Sequence, residues 1–341
     1  MFKYLIISFY FIANTQCFSQ DTIKNSMNRI DLIQNDSIKP LSFMVAGHLY
    51  GAHSESIYPS SSVVNNIDKF KNSDFIVLLG DNYRFIDSLH ISNFQTKFLK
   101  QFNIPIFNAI GNHDISSNQS THDYNSYSKL FNKQTYFSFS TLQTLFIFLD
   151  TEIHIVNAKS NGSITGEQLL FLKNTLSLNK QNKNIIIFTH KELNLWNNNY
   201  KDEIEPLLIT QSLKGKSIYV ISGDMGKYSP DTYFITDPIS NINYIHTHIS
   251  DNRNDNILKC KINLNGDINI EVISLESFSR KKIYEYEYLN KPNTKAVPTN
   301  FEKIINKLKN KNYLLGILSA LILFLIILLT KKMLIIFFKS K

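Results

Sequence analysis

The chain has 341 residues, which is enough for one large domain with further segments attached to it. Its formal net charge is +8, but the lysines are scattered along the chain, so the charge indicates no nucleic-acid footprint. The two cysteines, Cys17 and Cys260, are too few for a disulfide framework or a cysteine-based metal site.

The N-terminal segment has the pattern of a secretory signal peptide. Lys3 is followed by a short apolar run and then by polar residues up to Ser19. We therefore predict a signal peptide over residues 1–19, because the apolar run is too short to span a bilayer. A membrane anchor and a buried first strand are the alternative interpretations. Residues 20–40 are polar and unpatterned and are predicted to be a leader.

Three apolar runs follow, and each leads to a glycine that is followed by polar residues. The three segments are 41–48, 74–81 and 104–114. Short apolar runs predict buried strands, and glycine lets the chain turn sharply and approach a ligand. The strand ends carry His48, Asp81 and the segment Gly111-Asn112-His113-Asp114. Because α/β sheets bind ligands at the carboxyl ends of their strands, we expect these side chains to lie together.

The next part of the chain is predicted to alternate between strands and a helix. Strands are expected at 136–140, 144–150 and 184–189, and the last of them ends in His190. A helix is expected to begin at Thr165, with Gln168 completing a capping box. Its buried face is predicted to comprise Leu169, Leu170, Leu172 and Leu176.

Two segments compete as the source of a further site residue. A predicted strand over 217–222 leads to Gly223-Asp224-Met225-Gly226, whereas His246-Thr247-His248 places two imidazoles two residues apart. We favour Asp224. The other interpretation of His246 and His248 is two residues on one face of a strand.

The C-terminal part is predicted to leave the domain and enter a membrane. Residues 255–275 favour a hairpin with a type I′ turn at Asn265-Gly266. A basic connector is expected over 276–312. Residues 313–330 are nearly all apolar and would span roughly 27 Å as a helix, enough for a bilayer core. Residues 331–341 would then form a cytoplasmic tail.

The strand-end motifs resemble those of the calcineurin-like metallophosphoesterases. Gly80-Asp81, Gly111-Asn112-His113-Asp114 and His190 match the second, third and fourth family motifs in order, each behind a predicted strand. The resemblance covers residues 41–275. It implies an α/β fold, a sandwich of two mixed β-sheets flanked by helices, to which the sequence adds one C-terminal transmembrane helix.

The first and fifth motifs depart from the family pattern. In the first, D-x-H, His48 matches the histidine, but Ala46 stands at the position of the aspartate. In the fifth, G-H-x-H, Asp224 and Gly226 stand at the positions of the two histidines. Ala46 and Gly226 offer no ligand atom, so the family's pair of metal sites is incomplete here.

The resemblance therefore implies one firm site for a divalent ion (Mn, Fe, Zn or Mg) and a second that is weak or absent. The ligands implied for the firm site are Asp81, Asn112, His190 and Asp224. Only His48 and the shared Asp81 remain for the second site. The implied cofactor chemistry is activation of water for attack on a phosphoester substrate.

The implied catalytic residues are His113 and Asp114. His113 would protonate the leaving oxygen or stabilise charge on the phosphoryl group, and Asp114 would orient it. The expected protein is thus a membrane-anchored, extracytoplasmic phosphoesterase that contacts the bilayer through residues 313–330. The alternative is a non-catalytic or weakly active binding module that has lost part of its dimetal site.

Overall fold

The computed structural model describes residues 39–51, 57–116, 123–130, 134–152, 163–224, 232–251 and 254–275. The predicted signal peptide, connector, transmembrane helix and tail lie outside these ranges, as does nearly all of the leader. The chain divides into two units, Met1–Pro292 and Asn293–Lys341, and every described residue belongs to the first. Within the described ranges, no helix combines the length and apolar character needed to cross a membrane.

The described strands form two sheets. They are β1 (Leu41–Ala46), β2 (Phe75–Leu78), β3 (Ile106–Asn108), β4 (Phe137–Thr141), β5 (Thr144–Phe148), β6 (Asn184–Lys191), β7 (Ser217–Asp224), β8 (Tyr233–Thr236), β9 (Ile242–His246), β10 (Asn256–Ile262) and β11 (Ile268–Ser274). The first sheet has the order β11-β10-β1-β2-β3 and the second β4-β5-β6-β7-β9-β8.

Both sheets are mixed, because each contains parallel and antiparallel strand pairs. The strands β1, β2 and β3 pair in parallel, and β10 joins β1 in antiparallel register, with Leu41 opposite Ile262. In the second sheet β5, β6, β7 and β9 run parallel, whereas β4 and β8 are antiparallel edges. The prediction of two mixed sheets is confirmed.

Aromatic side chains fill the space between the two sheets. The ring of Phe43 on β1 stacks on Phe75 of β2, with centroids 4.7 Å apart. It also meets Phe146 and Phe188 of the other sheet edge to face, at 5.6 and 6.2 Å. Cys260 on β10 belongs to this buried layer. Side chains on strands alternate between faces, so the neighbouring residues of β1 point away from this layer.

The outer face of each sheet is covered by helices. These are α1 (Ser61–Val64), α2 (Asp68–Lys71), α3 (Ser88–Lys97), α4 (Asn112–Ile115), α5 (Tyr124–Leu130), α6 (Gly166–Leu178), α7 (Leu193–Trp196) and α8 (Glu205–Ser212). Phe94 and Phe98 pack with Met44 of β1 in one apolar cluster, and Leu172 and Leu176 of α6 pack with Ile185 of β6 in another.

Two local predictions are wrong. Thr165 precedes α6 but makes no side-chain cap. Gln168 instead bonds the backbone of Asp150, accepting from its N–H at 2.7 Å and donating to its carbonyl at 3.0 Å. The hairpin turn is not type I′, because Gly266 has a positive φ (+84°) but Asn265 does not. The Gly266 N–H bonds Asn263, so a tight turn is followed by a left-handed glycine.

Candidate metal centre

Three of the predicted ligands converge at the carboxyl ends of β2, β6 and β7. Asp81, His190 and Asp224 each offer one ligand atom, and these atoms all lie within 4.8 Å of one another. Asp81 and His190 are buried, whereas Asp224 at the end of β7 is partly open. The arrangement places two carboxylates and an imidazole around one point, as a hard or borderline cation requires.

The ring of His190 is held in an orientation that suits a metal ligand. Its Nδ1 lies 2.7 Å from the carbonyl oxygen of Leu79, which can only accept, so Nδ1 carries a proton. Nε2 then faces oxygen atoms of Asn112 at 3.1 Å, Asp81 at 3.5 Å and Asp224 at 3.5 Å. These oxygens attract either a proton on Nε2 or a cation bound to its lone pair, so the donor set fits a divalent ion.

The electrostatics of His190 agree with this fit. Burial lowers the pKa of His190, but the carboxylates of Asp81 and Asp224 outweigh burial and raise it to about 10. The surroundings of Nε2 therefore attract positive charge strongly. The pKa of Asp81 is lowered overall. Burial raises it, but the neighbouring imidazoles, of which His190 has the largest effect, lower it by more.

The backbone around Asp81 lets the loop after β2 and the loop after β3 approach each other closely. Asp81 has a φ of +55° and follows Gly80 at +81°, so two successive residues are left-handed. A Cβ atom on Gly80 would lie 2.5 Å from the Gly111 nitrogen and 2.7 Å from His190 Nδ1. A Cβ on Gly111 would lie 2.4 Å from both the nitrogen and Oδ1 of Asp81. Glycine at both positions lets the two loops meet.

Only part of the second predicted site comes together. His48 Nε2 lies 3.5 Å from Asp81 Oδ2, and His48 Nδ1 lies 3.1 Å from the carbonyl oxygen of Ile249. Ala46 is fully buried in the apolar cluster of Met44. Gly226 lies outside the described residues. That one site is firm and the other weak stays a prediction.

Asp114 serves as a support that joins the two loops. Its buried carboxylate accepts backbone N–H groups of Asp81 at 3.0 Å, Asn82 at 2.8 Å and Gly111 at 3.0 Å. Burial and the charge of Asp81 raise the pKa of Asp114 to about 7. The expected contact with the His113 ring is not among the bonds of Asp114 in the described part of the chain.

The ring of His113 is oriented by Arg84 instead. His113 Nδ1 donates to the backbone carbonyl of Arg84 at 2.9 Å, and His113 Nε2 accepts from the Arg84 guanidinium at 3.2 Å. Burial lowers the pKa of His113, and the positive charge of Arg84 adds to this. In this arrangement His113 is neutral, and its Nε2 accepts a proton instead of offering one.

Sequence reasoning missed Arg84 and Tyr50. The Arg84 guanidinium also donates to the Tyr50 hydroxyl at 2.9 Å, and the Tyr50 ring lies against those of His48 (4.3 Å) and His113 (4.9 Å). One signal was available in the sequence. Arg84 stands three residues after Asp81 and is the only arginine among the described residues.

His246 and His248 lie beside the centre but outside the three-residue group. His246 ends β9 opposite Ser222, with its ring stacked on that of Tyr233 at 5.4 Å. Its centroid is 5.3 Å from that of His248, which is 6.2 Å from that of His48. Burial lowers the pKa of His246 to about 3. The geometry favours Asp224 as the residue that meets His190.

Comparison with known proteins identifies the family of this chain. The model of the family "Calcineurin-like phosphoesterase" matches residues 48–225, just over half of the chain. No curated protein matches the chain. Among solved structures, the crystal structure of Chaetomium thermophilum Vps29 is similar with a TM-score of 0.29 and 9% identity, over 70% of this chain and 96% of that one. By the family match, this chain belongs to the calcineurin-like phosphoesterases.

Proposed function

We propose that this domain is a metal-dependent phosphoesterase with one firm divalent-ion site formed by Asp81, Asn112, His190 and Asp224. The observation that carries the proposal is His190 Nε2, which faces oxygens of the other three residues at 3.1–3.5 Å. Such a donor set is complementary to a divalent cation.

The residues around the ion have distinct parts in this proposal. A bound divalent ion would supply Lewis acidity toward a phosphoryl oxygen and toward water. Asp114 fixes the spacing of the loops that carry Asp81 and Asn112. His113 stands beside Asp81 and contacts the phosphoryl group. As the neutral tautomer, its Nε2 has to gain a proton before it can give one to a leaving oxygen.

A non-catalytic binding module is the second candidate, and one observation favours it. Ala46 occupies the place of a ligand and is packed among apolar side chains. The second ion site consequently has two protein ligands, His48 and Asp81, which is fewer than stable sites use. A module of this kind would keep the fold and bind a phosphoester without hydrolysing it.

Metal content followed by hydrolysis separates the two functions. We would measure bound metal in the purified full chain and then hydrolysis of an aryl phosphate with added manganese. His190→Ala provides the background rate. If the domain is an enzyme, hydrolysis should depend on metal and should fall to the background rate in His190→Ala. Metal binding without hydrolysis of any phosphoester tested would favour the binding module.

We also propose that the domain lies on the extracytoplasmic side of a membrane and is held there by residues 313–330. Two sequence patterns support this location. They are the signal-peptide pattern of residues 1–19 and the apolar run of 313–330.

A further inference from the structure

The guanidinium of Arg84 stands beside the incomplete half of the metal centre. Its Nη1 donates to Tyr50 and to His113 Nε2, at 2.9 and 3.2 Å. Tyr50 packs on His48, whose Nε2 is 3.5 Å from Asp81 Oδ2. Arg84 is therefore linked to the side of Asp81 where His48 lies.

Within the part of the chain that the structure describes, most of the guanidinium donors of Arg84 have no acceptor. Its Nε is buried and has no hydrogen-bond partner among the described residues. The two bonds of Nη1 are the only side-chain hydrogen bonds of Arg84 within the described ranges, so Nη2 is also unmatched there. The guanidinium also has no carboxylate within ion-pair distance in those ranges. A half-buried cation with an open, planar donor fork is complementary to an oxyanion.

Tyr50 adds one more donor to this fork. Its hydroxyl accepts from Arg84, and burial raises the pKa of Tyr50, so the hydroxyl keeps its own proton. That proton has no acceptor among the described residues. The guanidinium carbon lies 5.2 Å from the centroid of the Tyr50 ring and 5.4 Å from that of Phe85, so the two rings fix its position.

We propose that Arg84, positioned by Tyr50, binds the phosphoryl group of the substrate and supplies the positive charge that the incomplete second ion site does not hold. This inference rests on the proposed phosphoesterase function for the identity of the anion. Ala46 removes a ligand from one side of Asp81, and Arg84 places a permanent cation on that side. A guanidinium and one metal ion would then replace a pair of metal ions around the phosphoryl oxygens.

Binding of inorganic phosphate tests the inference without requiring turnover. Phosphate is titrated calorimetrically into the purified full chain with manganese present, and bound metal is measured on the same samples. We expect Arg84→Met to weaken phosphate binding about tenfold or more, because charge-assisted bonds are lost. Arg84→Lys is expected to retain part of the affinity. Lys201→Met is the control, since it removes a charge from an exposed lysine paired with Glu205.

Three results would overturn the inference. They are unchanged phosphate affinity in Arg84→Met, loss of bound metal together with phosphate binding, and absence of phosphate binding by the unmodified chain. If Arg84→Met fails to fold by circular dichroism, Arg84→Ala with millimolar guanidinium replaces it, and restored phosphate binding is expected. Failure of hydrolysis with retained, Arg84-dependent phosphate binding would remove the proposed enzyme function and leave this inference standing.

Discussion

At the scale of single residues, Asp81 and His190 carry most of the proposed ion binding. Asp81→Asn removes a negative charge and His190→Ala removes a nitrogen donor, so we expect each variant to lose most of its bound metal. Metal analysis of the folded protein is the measurement. Asp68→Asn is the matched control, because that carboxylate is exposed and pairs with Lys71. Unchanged metal content in either site variant would show that the assignment is wrong.

Ala46 allows a test of the second ion site. An aspartate at this buried position would place a carboxylate among apolar side chains, which is costly unless a cation pairs with it. We expect Ala46→Asp to melt below wild type without metal and to gain more stability from manganese than wild type does. Melting curves across a manganese titration provide the measurement.

Ala46→Asn is the control for this experiment, since it has nearly the same shape without the charge. An equal manganese response in wild type and Ala46→Asp would contradict the expected repair of the site.

Residues at or just beyond the carboxyl end of a buried strand could be predicted from the sequence, because the strand fixes where they emerge. Asp81, His190 and Asp224 are of this kind. Arg84 and Tyr50 could not, because their contact joins loops 34 residues apart and depends on how each loop turns. Loop conformations of this kind produce no periodic pattern in the sequence.

At the scale of elements, Asp87 caps the helix that follows the Arg84 loop. It accepts the N–H groups of Leu89 at 3.0 Å and His90 at 2.9 Å. Slight burial raises the pKa of Asp87, but the bonds from His90 lower it overall. Because the folded-state pKa is depressed, the stabilisation is complete above the unfolded value of about 3.9 and is lost as pH falls through the folded value.

We expect Asp87→Ala to lower the free energy of unfolding by about 1 kcal/mol at pH 7 and by less in acid. Urea denaturation at both pH values checks this. Asp87→Asn keeps a capping oxygen but does not titrate, so it should match wild type more closely at pH 7. An Ala variant as stable as wild type at pH 7 would exclude a capping contribution.

The meeting of the β2 and β3 loops depends on Gly111. A methyl group there would lie 2.4 Å from Asp81 Oδ1, so Gly111→Ala has to displace the carboxylate. We expect this variant to lose bound metal and about 1–3 kcal/mol of stability. Gly215→Ala is the contrasting variant for metal content, because its methyl group meets open space; its positive φ (+80°) makes this substitution cost stability as well. Equal metal content in the two variants would contradict the role given to Gly111.

The strands were predictable because continuous apolar runs mark them, and β1 begins and ends where the sequence indicates. The absence of a capping box at the start of α6 was not predictable, because the Gln168 side chain forms a tertiary contact with Asp150 instead. Leu170, predicted to be buried, is 57% exposed, whereas Leu169, Leu172 and Leu176 lie on the buried face of the helix. Local patterns give the elements, and packing decides which side chains they use.

At the scale of the whole molecule, residues 20–312 are predicted to face the periplasm or cell exterior, and Lys331 onward to face the cytoplasm. The lysines after the apolar segment favour this orientation, whereas Lys307, Lys309 and Lys311 oppose it. The predicted signal peptide decides between these orientations, because an exported chain that stops in the membrane would have its C-terminus inside.

Protease added to intact spheroplasts is expected to degrade the domain. A cytoplasmic protein with a tail anchor is the competing topology. Full protection of the domain, together with an outside-accessible C-terminal tag, would establish that topology.

Strand order could be expected only through the family resemblance. Residues 41 and 262 are far apart in sequence, yet Leu41 and Ile262 pair across β1 and β10. No local pattern specifies such a pairing, because alternation describes one strand at a time. This pairing depends instead on apolar side chains that pack between the two sheets, such as those of Phe43 and Phe146.

The carboxylate of Asp114 gives the centre a preorganised shape. It bonds backbone N–H groups of Asp81, Asn82 and Gly111, so two loops from different strands are ordered by folding itself. An arriving ion therefore encounters donors that are already in position, and little conformational entropy is lost on binding. Removal of a bound ion by a chelator should accordingly leave the two loops in place, so that the centre could bind metal again without refolding.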